Sequence, residues 1–351
     1  MTINLSELAD FGWKSFFTSQ LETSDFDTFQ PVRVTAVHRN ALEITGLHAE
    51  TTIPPFFAED EEDRATVGDW LLIEPDTLRI DRILDRKSLF KRRAAGTGRH
   101  MQLIAANIDT LFIVTSCNQD FNVARLERYL ALAQDAGVTP VIVLTKADLT
   151  DTPEDFERDA ARLMPALCVE TVDARDPASA DRLTAWCGRG ETIALVGSSG
   201  VGKSTLVNTL IGAQSIVTAG IREDDAKGRH TTTGRMLHRL PSGGWLLDTP
   251  GMRELQLTDV HAGIDDVFSD VAKLAQQCRF RDCGHDGEPG CAVEKAVAEG
   301  ALDPDRVRRW KKLLAEDAHN SASLSERRAR DKQFGKLVKR MMKDKKMKRG
   351  D

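Results

Sequence analysis

Long apolar runs are missing from this chain. No stretch of about 18 apolar residues occurs, so no membrane-spanning helix and no membrane partner are expected. A secretory leader is missing too: Met1 to Asp10 has neither a basic start nor an apolar core. Cysteine is scarce, with six in 351 residues, too few for a disulfide scaffold of this length. A cytoplasmic protein is therefore expected, in which clustered cysteines point to metal. Strong net charge is also absent, since 48 basic and 54 acidic residues leave −6. That balance argues against a wholesale nucleic-acid coat, although it averages over a local basic block. What remains, 41% hydrophobic and 29% charged, fits a globular protein with chain enough for two or three domains.

One stretch organises the rest. Gly197, Ser198, Ser199, Gly200, Val201, Gly202, Lys203 and Ser204 fit the G-x-x-x-x-G-K-[ST] phosphate-binding loop at every fixed position. The apolar run Thr192–Val196 before it predicts a buried strand, and Leu206–Ile211 after it predicts a helix. Glycines let backbone N–H groups wrap a phosphate, and the helix N-terminus adds its positive end. Lys203 is expected to reach the β- and γ-phosphates and Ser204 to ligate Mg²⁺, with Thr205 beside it. The loop alone indicates a nucleoside triphosphate and does not name the base.

Taken in order, residues 1–30 predict a short amphipathic helix or a partly ordered arm, with Leu5, Leu8, Phe11, Trp13, Phe16 and Phe17 as anchors. Trp13 is expected to dock on its own domain rather than to stack on a base. Residues 31–92 predict a small β domain, from the strands Val32–His38, Ala41–Thr45, Trp70–Ile73 and Leu78–Ile83. An OB-type barrel fits the length, and the pattern does not separate it from an SH3-like one. Residues 85–102 carry Arg86, Lys87, Lys91, Arg92, Arg93, Arg99 and His100 around Gly96 and Gly98, and predict a basic flexible linker. Such a linker either contacts phosphates or simply connects. From 103 the pattern turns α/β: strands at Ile108–Val114, Pro140–Leu144 and Cys168–Val172, helices at Arg125–Ala136 and Asp155–Leu163.

The second of those strands delivers Thr145, Lys146, Ala147 and Asp148, which resemble the [NT]-K-x-D guanine-reading element of GTPases. A carboxylate accepts hydrogen bonds from guanine N1–H and the 2-amino group, which adenine cannot offer. An ATPase is therefore disfavoured. Asp173 and Ala174 stand where GTPases carry a Ser-Ala element whose backbone meets the guanine oxygen, with aspartate replacing serine. Downstream, Asp248 and Gly251 fit D-x-x-G at a strand end: Asp248 for Mg²⁺, and the Gly251 amide for the γ-phosphate. Between loop and D-x-x-G lies Gly228-Arg-His-Thr-Thr-Thr233, from which Thr232 is expected to complete the Mg²⁺ shell. The order is informative. Base readers come first and the phosphate loop, threonine segment and D-x-x-G follow, a circular permutation of the ordinary GTPase order. The second switch therefore runs directly into the C-terminal region and could move it as a lever.

Cys278, Cys283, His285 and Cys291 supply thiolates and an imidazole within a short span, the donor set of a closed, structural zinc site. The charged residues of 327–349 are almost all basic, opposed only by Asp331 and Asp344, and suit a polyanion such as RNA.

With these features assembled, the chain resembles the ribosome small-subunit-dependent GTPase family of RsgA type. The resemblance rests on the permuted order, the loop Gly197–Thr205, Thr145–Asp148, Asp248–Gly251, Ala105-Ala-Asn-Ile-Asp109, the threonine segment and the Cys278/Cys283/His285/Cys291 knuckle, and it covers nearly the whole chain. It implies an OB-fold RNA-binding domain (31–92) after the arm, a circularly permuted GTPase domain (93–257), and a mostly helical zinc-binding domain with a basic tail (258–351). It also implies GTP and GDP as ligands, Mg²⁺, one structural Zn²⁺, binding to the small ribosomal subunit and its ribosomal RNA late in assembly, and hydrolysis stimulated by that subunit. A monomer is expected, with other assembly factors as further partners. Met252 follows Gly251 where Ras-like enzymes orient water with glutamine, and a thioether cannot do this. In the family a first-switch histidine is thought to take over, which implies a catalytic role for His230; the alternative is that His230 only positions its loop. The competing overall reading is an RNA-docking module of another assembly step, with hydrolysis incidental.

Overall fold

The structure, a computed structural model, describes residues 5–55, 58, 60–93, 101–212, 235–248 and 257–321. The arm forms α1 (Leu5–Leu8), a 3-10 turn (Ala9–Phe11), α2 (Ser15–Thr18) and α3 (Asp25–Thr28). Trp13 is buried edge-on against Trp70, with ring centroids 4.8 Å apart, and its indole N–H donates to Thr18 Oγ1 at 2.9 Å.

The β domain contains β1 (Gln30–Val37), β2 (Leu42–Thr45), β3 (Glu50–Ile53), β4 (Trp70–Ile73) and β5 (Ile80–Ile83). β1 is shared between β2 and β4, giving the order β3-β2-β1-β4-β5, an arrangement suited to a curled OB-type barrel. β4 explains its own unbroken apolar run. Leu71 and Ile73 face the barrel core with Val32, Val34, Leu42 and Ile44, while Trp70 and Leu72 face the arm. A strand covered on both faces has no reason to alternate.

The expected flexible linker at 85–102 is in part a hairpin. β6 (Leu89–Arg93) pairs antiparallel with β7 (Met101–Ala106), and residues 94–100 lie outside the described set. Phe90, Leu103, Ile104 and Ala105 of the hairpin are buried. Several basic residues of 85–102 neutralise acidic neighbours: Arg86 grips the buried Asp69 at 2.8 Å, Lys87 pairs with Asp109 at 3.2 Å, and Lys91 with Glu62 at 3.0 Å. A count of positive charges does not reveal that their partners are internal.

The α/β unit follows with β8 (Thr110–Ser116), α4 (Val123–Asp135), β9 (Thr139–Thr145), α5 (Pro153–Ala161), β10 (Cys168–Thr171), α6 (Pro177–Ala180), a 3-10 stretch (Asp181–Trp186), β11 (Thr192–Val196), α7 (Lys203–Ile211), β12 (Arg235–Arg239) and β13 (Trp245–Asp248). Asn122 starts α4 by accepting the Arg125 amide at 2.9 Å, and Pro153 pre-sets the first turn of α5. The strand order is β10-β9-β8-β11-β13-β12, parallel through β13, with β12 antiparallel. β8 and β9 are buried almost throughout, as central parallel strands must be. β12 then pairs with β1, through Ala36–Met236 and Val37–Arg235, so one sheet runs from the nucleotide side into the barrel. A bulge between Val34 and Ala36 lets β1 bend to reach it.

Four helices close the described chain: α8 (His261–Val267), α9 (Ser269–Ala275), α10 (Ala292–Ala298) and α11 (Pro304–Ser321). α8 crosses α4 closely enough that a Cβ on Gly263 would stand 2.1 Å from the Ala131 carbonyl oxygen. Below that crossing the fully buried Glu127 of α4 receives Arg306 (3.2 Å) and Arg309 (2.6 Å) from α11. Ile264, Val267, Phe268, Trp310 and Leu313 share one apolar core with Leu126 and Leu130. Among the described residues, no helix is long and apolar enough to cross a membrane.

Candidate nucleotide site and metal centre

Ligands of an open α/β sheet gather at the carboxyl ends of its strands, and the predicted motifs are delivered there. β11 ends at Val196 and turns at Gly197, whose φ of 146° and close approach admit no side chain: a Cβ would lie 2.2 Å from the Val114 carbonyl oxygen on β8. Ser199 and Gly200 stand at the exposed tip, Val201 turns inward, and Gly202 at φ 92° hands the chain to α7. Lys203, Ser204 and Thr205 thus occupy the first turn of that helix, with Ser204 and Thr205 exposed. Lys203 Nζ donates to the Gly197 carbonyl at 2.8 Å and also to that of Ser198. Its charge therefore hangs over the loop.

β9 ends at Thr145, which is fully buried. Its hydroxyl lies 2.6 Å from the Val201 carbonyl and 3.2 Å from that of Thr115; with one proton to give, the shorter contact is the donated bond. This residue ties the base-reading strand to the phosphate loop. Lys146 then adopts φ 58°, and a 3-10 turn, Ala147–Leu149, brings Asp148 to the surface. Beyond β10, Asp173 and Ala174 approach from the other side. The Asp173 amide donates to Ser179 Oγ at 2.9 Å, and the Ala174 carbonyl accepts from Thr209 Oγ1 of α7 at 2.6 Å.

One residue that sequence reasoning passed over stands between these loops. Arg175 Nη2 reaches Asp148 Oδ2 at 2.8 Å, while its Nε lies 3.2 Å from Asp173 Oδ1. The Arg175 guanidinium holds the Asp173 carboxyl below the usual carboxylate range. The spacing Asp173-x-Arg175 was the available signal, but only the turn shows that the arginine swings back to Asp148.

Asp248 is the last residue of β13, parallel to β11 with Leu247 level with Ala194, which puts its backbone at the same sheet edge as the phosphate loop. His230, Thr232 and Gly251 lie outside the described residues, as does the basic run 327–349.

Ala105-Ala-Asn-Ile-Asp109 proves to be a joint. Asn107, at φ 57°, donates to the Gly68 carbonyl at 3.0 Å and accepts the Lys87 amide at 2.8 Å. Asp109 receives Lys14 of the arm at 2.6 Å, Lys87 at 3.2 Å, and the Thr192 amide that opens β11 at 3.0 Å. Beside it the buried Arg33 of β1 donates to the Phe11 carbonyl at 2.7 Å and to Thr192 Oγ1 at 2.8 Å. Burial pushes its guanidinium down to about 10, so it stays charged at neutral pH.

The cysteine cluster is assembled at the start of α10. The ligand atoms of Cys278, Cys283, His285 and Cys291 lie within 4.8 Å of one another. Cys278 and Cys291 sulfurs are 3.9 Å apart, and His285 Nδ1 lies 3.5 and 3.3 Å from them. Tetrahedral zinc with Zn–S near 2.3 Å sets sulfurs about 3.8 Å apart, so the donor set fits that ion. Cys291 caps α10, its sulfur accepting the Glu294 amide at 3.4 Å, and Cys278 accepts the Ala292 amide at 3.4 Å. Burial would raise the Cys278 thiol, but the Ala292 and Val293 amides hold it below its ordinary value. His285 packs on Trp310 at 5.5 Å, and Lys311 donates to its carbonyl at 2.6 Å, which ties the knuckle to α11.

Comparison with known proteins fits this geometry. The family model described as RsgA GTPase matches residues 83–258. The chain is 53% identical over 324 residues to a small ribosomal subunit biogenesis GTPase RsgA of Mesorhizobium japonicum, covering 92% of this chain and 93% of that protein. It is 50% identical over 344 residues to a protein named small ribosomal subunit biogenesis GTPase RsgA 2 in Vibrio parahaemolyticus, covering 96% and 93%. Among solved structures, YjeQ from Thermotoga maritima superposes with a TM-score of 0.60 at 23% identity, covering 82% of this chain and 98% of that one. YloQ, described as a circularly permuted GTPase, superposes at 0.57 with 22% identity, covering 84% and 97%.

Proposed function

The chain belongs to the RsgA GTPase family, and on that premise we propose that it binds the small ribosomal subunit late in assembly, hydrolyses GTP to GDP and phosphate there, and leaves when hydrolysis is done. GTP hydrolysis is the activity its family membership carries, and a role in ribosomal subunit biogenesis is the one its relatives' names state. Nothing favours a reading in which hydrolysis is incidental. The observation that carries the nucleotide assignment is the bond from Thr145 Oγ1 to the Val201 carbonyl, because it fixes the base-reading turn against the phosphate loop.

In this reading Asp148 accepts guanine N1–H and the 2-amino group, and the Lys146 stem lies along the base. The Asp173 amide is engaged by Ser179, which leaves the Ala174 amide to meet the guanine oxygen. The amides from Ser198 to Thr205 surround the phosphates, and Lys203 turns from the loop carbonyls to the β- and γ-oxygens. Ser204, Thr232 and Asp248 hold Mg²⁺, which when bound neutralises charge on the phosphate oxygens. His230 orients the attacking water, a task Met252 cannot perform. Cys278, Cys283, His285 and Cys291 hold one structural zinc with no open position. The division into arm (1–30), barrel (31–92), permuted GTPase (93–257) and zinc-binding end (258–351) belongs to the same proposal, as do a cytoplasmic monomer, further assembly factors, and ribosomal RNA as the polyanion met by barrel and tail.

The test is GTP turnover by the full chain with purified small subunits, with large subunits as control. Selective stimulation by small subunits, lost in His230→Ala, is expected. Equal stimulation by large subunits, or none, would refute the partner, and stimulated turnover surviving His230→Ala would refute the role of His230.

A further inference from the structure

We propose that Arg175 is an intramolecular competitor for the guanine-reading carboxylate: it occupies Asp148 until a guanine displaces it, and Asp173 is the carboxylate to which it then withdraws. This rests on the reading of Asp148 as the base-binding residue. The contact from Arg175 Nη2 to Asp148 Oδ2, at 2.8 Å, has the length of a charge-assisted hydrogen bond. Guanine engages both oxygens of that carboxylate through two donors, so base and guanidinium compete for Oδ2. The same guanidinium is already touching its alternative partner, with Nε at 3.2 Å from Asp173 Oδ1 and Nη2 at 3.3 Å from Asp173 Oδ2. Asp173 Oδ1 also accepts the Arg175 amide at 3.0 Å, which fixes the turn between them. A serine at 173 would present no charge to keep the cation after its release from Asp148. One cation is thus shared by two carboxylates, and only one of them reads the base.

The arrangement sharpens base choice. Guanine replaces the guanidinium with two donors of its own. Adenine presents a lone pair at position 1 and would displace the cation without compensation. Side-chain exposures of 66% for Arg175 and 36% for Asp148 set the scale as that of a surface ion pair, about two- to fivefold in affinity. The contact is at the base end, so GTP and GDP are affected alike, and salt weakens it.

The experiment is titration of the full chain with a fluorescent GDP and GTP, at low and high salt, for Arg175→Ala, Asp173→Asn and the double variant. Arg175→Ala is expected to bind both nucleotides about two- to fivefold more tightly, with the gap closing at high salt. Asp173→Asn is expected to bind more weakly, and to have no effect once Arg175 is alanine. Unchanged or weaker binding by Arg175→Ala overturns the proposal, and so does an Asp173→Asn defect of equal size in both backgrounds. Asp148→Asn separates this from the underlying reading. If it fails to shift preference from guanine to xanthine nucleotides, the base assignment itself is wrong. If it shifts preference while Arg175→Ala is silent, only the competition is wrong.

Discussion

Thr145 shows how one hydroxyl can serve two motifs. In the sequence it is the first letter of the base-reading element; in the fold its side chain never meets the surface, and its proton goes to the Val201 carbonyl across the site. Thr145→Val keeps the volume and leaves that carbonyl without its donor, a loss of about 1–3 kcal/mol. We expect a lower denaturation midpoint and weaker binding of GDP and GTP together, with Thr145→Ser restoring both; a valine variant with parental affinity would show that the loop needs no such tie. At this scale the sequence was legible where a motif states its own chemistry, as at Gly197, Lys203 and Asp148. It was not legible at Arg175, because a flexible side chain's partner depends on how its turn folds back, and no spacing rule records that.

Strands and helices were placed well by periodicity wherever burial is one-sided or complete. β11 matches its expected bounds, and the helix expected at Arg125–Ala136 is α4 at Val123–Asp135, begun earlier by its Asn122 cap. β3 was missed because Glu50, Thr51 and Thr52 are exposed and leave only Ile53 to mark it. β6 was missed because basic residues paired within the fold look the same in sequence as basic residues facing solvent. The contact of α4 with α11 has no sequence signature either, since Glu127 reads as an ordinary surface glutamate and is fully buried. Glu127→Gln removes the charge that Arg309 and Arg306 share, while Arg306 keeps Asp270 at 2.7 Å, so the loss should be about 1–3 kcal/mol. The C-terminal helices should then exchange amide hydrogens sooner than the sheet; uniform loss of protection would mean that the helices and sheet unfold as one unit. The knuckle makes a separate prediction. Chelation should remove one zinc per chain and lower the midpoint, and Cys283→Ser should reduce zinc content measured by atomic emission, whereas full metal loading with only Cys278, His285 and Cys291 intact would rule out the closed site.

The molecule as a whole is joined through Asp109, where arm, hairpin and β11 meet. Burial would raise its carboxyl, but Lys14, the Thr192 amide and Lys87 hold it below the usual range. A carboxyl lowered on folding stabilises the native state above its unfolded value and loses that contribution as pH falls through the folded one. Asp109→Asn should therefore lower stability at pH 7, and the difference from the parent should shrink below about pH 4; a difference independent of pH would show that the charge is not what matters. The sequence announced the barrel and the α/β unit as separate patterns, but not their union, because residues as distant as Ala36 and Met236 carry no local mark of pairing. That pairing has a mechanical meaning. The segment holding His230 and Thr232 enters β12 at Arg235, and β12 is laced to the barrel strand on one edge and on the other to β13, which ends at Asp248. Strands cannot slide by a fraction of a residue, since each step of one turns every side chain to the opposite face. The seam thus resists sliding, and it ties the segment that enters β12 to the edge of the barrel strand.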